Sequence, residues 1–497
     1  MKTALSQLVC TTGLFFTLLW MPINAQEFRI ETDLLGEKEI PADAYYGVQS
    51  VRALENFQIS GLRTNDYPEF VKAWAMVKWA AARANRDAGI MPPDIYKPIE
   101  DACQAVIDGQ YRDQFVVDLY QGGAGTSTNM NANEVLANIA LEKAGFSKGA
   151  YDKIAPNDQL NMSQSTNDTY PTALKLGMLL SNDPLKKELQ SLAKSFRTIG
   201  NAYIDVVKMG RTELQDAVPM TVGQEFHAYG AALEWELANI ERAQEALYVI
   251  NMGATAIGTE LNTPAGYAGS CTKHLSEISG YGFVVANDLI AATWNLQSFV
   301  IYSSALKTLA TTLSKISNDL IILSSGPRNG LFEINLPPRQ PGSSIMPGKV
   351  NPVMPELMAL VSYKVIGNDV TVSMAASDGD LQLNAYEPVV GISIFESQKI
   401  LTNTMRAFRE LCVDGITINE DTHRKNLETT IGIVTALNPV IGYKKSSELA
   451  REATLSGKGI LELVREQKLL TEQQIKELLA PANMTGLDKS KYPKNKD

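Results

Sequence analysis

Leucine and isoleucine recur at alternating spacings of three and four at Leu306, Leu309, Leu313, Ile316, Leu320 and Leu323. That spacing returns the side chains to one face of an α-helix, the seam that a helical bundle buries. The stretch GQEFHAYGAALEWELANIERAQEALYVIN puts Leu233, Leu237, Ile240, Leu247 and Ile250 on a similar face. A third long helix is expected over PVVGISIFESQKILTNTMRAFREL. Helices of roughly 25 to 30 residues are about twice the usual length, and such lengths predict a bundle that also packs between subunits. The expected fold class is therefore mainly α, in three segments. Residues 26–163 mix turns, such as GEKEIPADAYYG, with the helical runs FVKAWAMVKWAAARANRDAG and DIYKPIEDACQAVIDG. Residues 164–418 carry the long helices, and residues 419–497 return to short helices and a polar tail.

Ahead of these segments, Lys2 precedes a charge-free stretch at 3–26 with an apolar run and a small residue, Ala25, before Gln26. That order matches a secretory signal peptide over 1–25. It predicts export, to the periplasm of a Gram-negative source, with no membrane attachment after removal. If the segment is not a working signal, the expected place is the cytoplasm. A formal charge of −10 argues against nucleic acid as a partner. Cys10, Cys103, Cys271 and Cys412 form no CxxC pair, and His227, His274 and His423 are scattered. Neither a metal site nor a Ser-His-Asp centre is expected.

The least helical stretch is also the most informative. Between Pro337 and Pro355 lie six prolines, two glycines and two serines, in a segment centred on GSSIMPGKVNP. A lysine after glycine ahead of a helix suggests a phosphate loop, but Gly342 and Gly348 are separated by five residues and Val350 follows Lys349. GGAGTSTNMN lacks the third glycine of a dinucleotide fingerprint. No cofactor is therefore expected. Four polar loops, GAGTSTNMN, SQSTND, GRTELQDAVP and GSSIMPGKVNP, each abut a helical pattern. Hydroxyls, amides and helix-start N–H groups are what proteins use to hold carboxylate oxygens. Lys349 adds one full positive charge with Asn351 beside it. Many neutral donors and one lysine suit a small dicarboxylate better than a triphosphate. No histidine is near to act as base; if carboxylate recognition is combined with proton removal beside a carboxylate, the chemistry is β-elimination through an enediolate-like carbanion. Ser343 serves as base only if backbone N–H groups curl around its oxygen.

GSSIMPGKVNP resembles the signature loop of the fumarase/aspartase superfamily. IETDLLGEKEIPADAYYGVQSVRALENF, QGGAGTSTNMNANEVLAN, SQSTNDTYPTALK and KMGRTELQDAVPMTVGQEF resemble its other shared regions. The phrasing is similar to the aspartase branch, since fumarases usually carry Ser at the position of Ala124 and His at that of Glu213. The resemblance implies deamination of L-aspartate to fumarate and ammonia, with Ser343 as the base that removes a C3 proton. Lys349, Asn351 and Thr212 would hold the α-carboxylate. Thr126, Ser165 and Thr166 would clasp the β-carboxylate, and Asn167 would contact the amino group. Ser344 and Glu356 would stand behind them. It further implies a three-part helical subunit, a central helix bundle that forms a homotetramer core, and active sites shared between subunits, without cofactor or metal. Two departures stand out. Glu213 replaces Gln or His after GRT, and Glu260 replaces the second glycine of the family's GTGLN segment. Glu213 facing Glu356 would bring two carboxylates together, whereas an ionised Glu213 would pair with the substrate ammonium. A fumarase-type hydratase, a lyase for an N-substituted aspartate and an inactive binding homologue are the alternatives.

Overall fold

The computed structural model describes residues 27–492, so the expected signal segment at 1–25 and the end of the polar tail lie outside the described residues. The chain opens with an antiparallel hairpin, β1 (Phe28–Asp33) and β2 (Gly36–Pro41). Helices α1 (Val48–Asn56), α2 (Pro68–Asp87), α3 (Pro93–Ile107) and α4 (Thr126–Lys143) follow. The 37-residue α5 covers Thr166–Ala202. A second hairpin, β3 (Val207–Thr212) and β4 (Gln215–Thr221), leads into α6 (Val222–Gln244). The short parallel pair β5 (Val249–Ile250) and β6 (Val284–Val285) flanks α7 (Tyr267–Ser279). Next come α8 (Leu289–Trp294), α9 (Gln297–Leu323), β7 (Ile334–Asn335), α10 (Val353–Ser377) and α11 (Glu387–Leu411). Strand β8 (Thr417–Ile418) pairs back onto β7. The carboxy-terminal helices are α12 (Glu420–Thr429), α13 (Val434–Ile441), α14 (Tyr443–Ser456), α15 (Ile460–Glu466), α16 (Glu472–Leu478) and α17 (Pro481–Thr485).

Helices α5, α6, α9, α10 and α11 pack together as the bundle. The α9 stripe is buried along its whole length, from Leu306 to Leu323. Polar side chains fix the register of the bundle. Tyr302 on α9 donates to Asn182 on α5 (2.9 Å), and Gln398 on α11 donates to Tyr302 (2.7 Å). These bonds link the three helices at one alignment, since sliding any of them would leave the buried Tyr302 and Asn182 groups unpaired. Helix α5 also contains Pro171, which cannot donate to the carbonyl of Asn167. Asn251 fills that vacancy, its Nδ2 donating to the Asn167 carbonyl at 3.0 Å. The helix thus continues through a proline, and its first turn is tied to the segment after β5.

Three expectations about local structure are corrected. The helix expected through Ile250 ends at Gln244, because Leu247 sits in a 3-10 turn and Ile250 in β5. Both remain buried, so the apolar stripe outlives the helix that it suggested. GEKEIP is strand β2 rather than part of a turn. GRTELQDAVP is a hairpin rather than a loop, with Glu213 and Leu214 alone between the strands.

One apolar cluster extends from Tyr67 to Ile416, and a second, from Ile433 to Ile475, serves the carboxy-terminal helices. Helix α10 is apolar on both sides. Its inner face packs into the bundle, while Leu357, Leu360, Tyr363, Val370 and Met374 face outward, Leu360 and Met374 being 64% and 68% exposed. Among the described residues no helix is long and apolar enough to cross a membrane.

Candidate active site

The polar residues singled out in the sequence fall into three groups. The first gathers where α4 and α5 begin. Thr126 opens α4 after Gly125, whose φ is +87° and where a Cβ would lie 2.2 Å from the Tyr170 ring. Only glycine allows that approach, so the start of α4 is pressed against α5. Ser165 is the N-cap of α5, its hydroxyl oxygen accepting from the Asn167 N–H (3.2 Å). Asn129 Nδ2 on α4 donates to Thr166 Oγ1 (3.1 Å), which joins the two helix starts directly. Asn167 Nδ2 donates to the Ala256 carbonyl (2.7 Å), leaving its Oδ1 as a free acceptor. Two helix N-termini side by side, lined by hydroxyls, form a setting for an anion.

Behind this group lie two buried charges. Asp168 completes the capping box with Ser165 N–H (3.0 Å) and also accepts from Gly253 N–H (3.2 Å) and Thr255 N–H (3.0 Å). Burial pushes its carboxyl up to about 7, against those three donors and the nearby Lys78. Lys78 is itself buried, and burial pushes it down to about 7, opposed by Asp168. Sequence reasoning found neither. The S-x-x-D spacing at 165–168 is a capping-box signal for Asp168, but Lys78, one of two lysines in the alanine-rich α2, has none.

The second group is the tip of the β3–β4 hairpin. Thr212 and Glu213 are exposed, and Glu213 (φ +52°) and Leu214 (φ +64°) both lie in the left-handed region. A two-residue turn of this type normally takes Asn or Gly, so the tip holds a carboxylate at a conformational cost. The hairpin is anchored at its base. Buried Glu333 receives Lys208 (2.9 Å) and Arg211, and Lys208 also reaches Glu225 (2.7 Å). These cations hold Glu333 below the usual carboxylate range despite its burial. The carboxy-terminal part docks here too, with Thr430 Oγ1 donating to Asp216 at 2.7 Å.

His423 on α12 lies 3.9 Å from Glu333 and is 1% exposed, with no hydrogen bond to either ring nitrogen among the described residues. Burial pushes its pKa down to about 4. An unfolded histidine takes a proton near 6.5, so the folded state gains stability above that value and loses it as pH falls through about 4. The full difference is on the order of 3 kcal/mol. His423→Leu is expected to flatten the fall in urea midpoint between pH 6.5 and 4 relative to the native chain. An unaltered pH slope would dismiss His423 as its source.

The third group is the loop 342–351. Gly342 N–H donates to the Lys349 carbonyl (2.6 Å), and Asn351 Nδ2 donates to the Gly342 carbonyl (2.9 Å), closing the loop at its base. Within it, Ser343 Oγ accepts from both Ile345 N–H (3.2 Å) and Met346 N–H (3.0 Å). Ser344 and Lys349 are exposed at the loop's surface, and Glu356 is exposed in the first turn of α10. Glu213 borders a cavity of about 290 Å³ with Lys208, Arg211, Glu225, Lys315 and Asp319, and Glu356 is not on that wall. Glu260, the other departure, has φ +56°, a backbone state that explains the usual glycine there.

Among the described residues no hydrogen bond or ion pair joins one of the three groups to another. Nor do those residues include a cluster of three or more His, Cys, Asp or Glu able to hold a metal ion.

A family model described as "Lyase" matches residues 36–367, and one described as "Fumarase C C-terminus" matches residues 433–486. All three polar groups fall inside the first span. The aspartate ammonia-lyase of Pseudomonas aeruginosa is 54% identical over 457 residues, covering 92% of this chain and 96% of the relative. That of Escherichia coli K12 is 50% identical over 461 residues, covering 93% and 96%. Among solved structures, the fumarate lyase:delta crystallin from Brucella melitensis bound to cobalt matches with a TM-score of 0.89 and 49% identity. The recombinant class II fumarase from Schistosoma mansoni matches with a TM-score of 0.85 and 33% identity. Each match covers 92% of this chain and 99% of the other.

Proposed function

The chain belongs to the fumarase/aspartase superfamily of lyases, and we propose that its three polar groups are the parts of one active site for L-aspartate. The activity is that of an aspartate ammonia-lyase, a carbon–nitrogen lyase that converts L-aspartate reversibly to fumarate and ammonia. The observation that carries the site assignment is the pair of N–H donors on Ser343 Oγ. Two amide dipoles lower the cost of an alkoxide there, as such donors do for any developing oxyanion. Ser343 takes the C3 proton, and the electron pair moves into the β-carboxylate as an enediolate. The C2–N bond then breaks as that pair returns to form the double bond, and ammonia leaves.

Thr126, Ser165 and Thr166 hold the β-carboxylate at the two helix starts, where the added negative charge is best accommodated. Lys349, Thr212 and Asn351 hold the α-carboxylate, Asn351 with the N–H that the Gly342 carbonyl does not use. Asn167 accepts from the amino group through its free Oδ1. Ser344 and Glu356 support the loop from behind. Because these groups stay apart in one chain, the proposal includes a homotetramer in which loops of different subunits meet. The outward apolar face of α10 supports that reading.

Following the ultraviolet absorbance of fumarate with L-aspartate and then L-malate tests the activity. Signal with aspartate alone is expected. Signal with malate alone would make the chain a fumarase, and silence with both would make it an inactive homologue. Glu213 favours a second reading of specificity, because an exposed carboxylate at a strained tip suits a cationic or substituted amine. If it pairs with the substrate ammonium, Glu213→Gln should raise the KM for L-aspartate roughly tenfold, the worth of one charge-assisted hydrogen bond. An unchanged KM for aspartate, with turnover of an N-substituted aspartate by the native enzyme, would shift the assignment to the second reading.

A further inference from the structure

Lys78 sits in the middle of α2 and is 1% exposed. Its ammonium spends all three N–H groups on neutral amide oxygens: Asn129 Oδ1 (2.7 Å), Gln164 Oε1 (2.9 Å) and Asn161 Oδ1 (3.2 Å). Burying a cation without a contacting carboxylate is expensive. A neutral hydrophobe with apolar neighbours would fill the same space more cheaply.

The consequence lies in the direction of the amides. With its oxygen fixed on Lys78, Asn129 must turn its NH₂ the other way, and there it donates to Thr166 Oγ1 (3.1 Å) and Asn161 Oδ1 (3.1 Å). A hydroxyl has one proton and two lone pairs. Thr166 accepts on its inner side, so its own proton is left to point outward. Besides the ammonium, the Asn129 amide is oriented by the Thr169 hydroxyl on its oxygen (3.3 Å) and by Asn161 Oδ1 on its NH₂ (3.1 Å). A hydroxyl can turn and Asn161 is itself held by Lys78, so without the ammonium the amide can flip. Thr166 would then donate inward to the flipped oxygen and present a lone pair to the substrate. A lone pair repels the carboxylate that a donor would hold.

We infer that Lys78 is a positioning residue: it fixes the polarity of the Asn129 amide and so compels the Thr166 hydroxyl to donate to the substrate carboxylate that gains charge in the transition state. The inference rests on the reading of Thr166 as part of the β-carboxylate clasp. Lys78 touches no substrate atom in this arrangement.

A double-mutant cycle with L-aspartate separates the two ideas. Lys78→Met and Thr166→Val are each expected to lower kcat by about 100-fold, the scale for losing one transition-state donor. The double variant should be no slower than the worse single one. Multiplying effects, or a Lys78→Met enzyme with native kcat, would overturn the positioning role while leaving Thr166 in the site. A Thr166→Val enzyme with native kcat would instead remove Thr166 from the clasp. Should Lys78→Met fail to fold, Asn129→Asp supplies the answer. It gives Lys78 a carboxylate partner but replaces the donor that faces Thr166 with an acceptor. Its kcat should fall by about 100-fold with the thermal midpoint kept, and the fall should vanish in a Thr166→Val background. Native kcat in Asn129→Asp, or an equal fall in both backgrounds, would overturn the inference.

Discussion

Ser343→Ala is expected to stop deamination of L-aspartate while leaving the assembled protein intact. Under the proposed assignment the substitution removes the general base, and losing a positioned base typically costs about 100- to 10,000-fold. Stability should hardly change, because Ser343 is partly exposed and its Oγ bonds only N–H groups of its own loop. Activity within tenfold of native would place the base elsewhere. The same variant reports on shared sites. Refolded as an equal mixture with Thr166→Val subunits, it should regain up to about a quarter of native activity, because a random tetramer then combines an intact loop with an intact clasp. No recovery would mean that each site is built within one chain.

Gly342→Ala should be nearly as damaging, though it removes no functional group. A Cβ at Gly342 would stand 2.7 Å from the Asn351 nitrogen and 2.8 Å from the Lys349 carbonyl oxygen. Both are backbone atoms that cannot swing aside. Relief requires breaking the hydrogen bonds that close the loop, which carries Ser343 out of position. Misplacement by about 1 Å is worth about 100-fold in rate. The thermal midpoint should move little, since the loop contributes little to the apolar core. Gly348→Ala is the contrast. Its φ is +85°, yet a Cβ there meets nothing within 4 Å, so it should cost only about 1 to 2 kcal/mol of loop strain and much less activity. Equal losses in the two variants would mean that the loop acts through its flexibility rather than through its closed shape.

What the sequence made legible follows from how local each signal is. The stripe on α9 was readable because burial of one helix face is written directly in the residue spacing. Helix α5 was harder, since Pro171 argues for a break and the compensating Asn251 lies far along the chain. The β3–β4 hairpin looked like a loop because Arg211, Thr212, Gln215 and Asp216 are polar and its turn, Glu213–Leu214, lacks the usual Gly or Asn. The polar groups themselves were visible, because hydroxyl- and amide-rich loops beside helix patterns are compositionally unusual. Nothing in their spacing says that they belong together, and within one chain they stay apart. Lys78 was hidden for another reason. A lysine in a helix normally faces water, and only the three-dimensional arrangement turns this one inward.

The carboxylate of Asp168 has a consequence for the order in which the protein is made. It bonds the N–H of Thr255, 87 residues further on. At about 5 to 20 residues per second, those residues take roughly 4 to 17 s to synthesise. Until they arrive, the head of α5 has its own cap but not the segment that locks it. The start of α5 is therefore locked only after the whole of that helix has been synthesised.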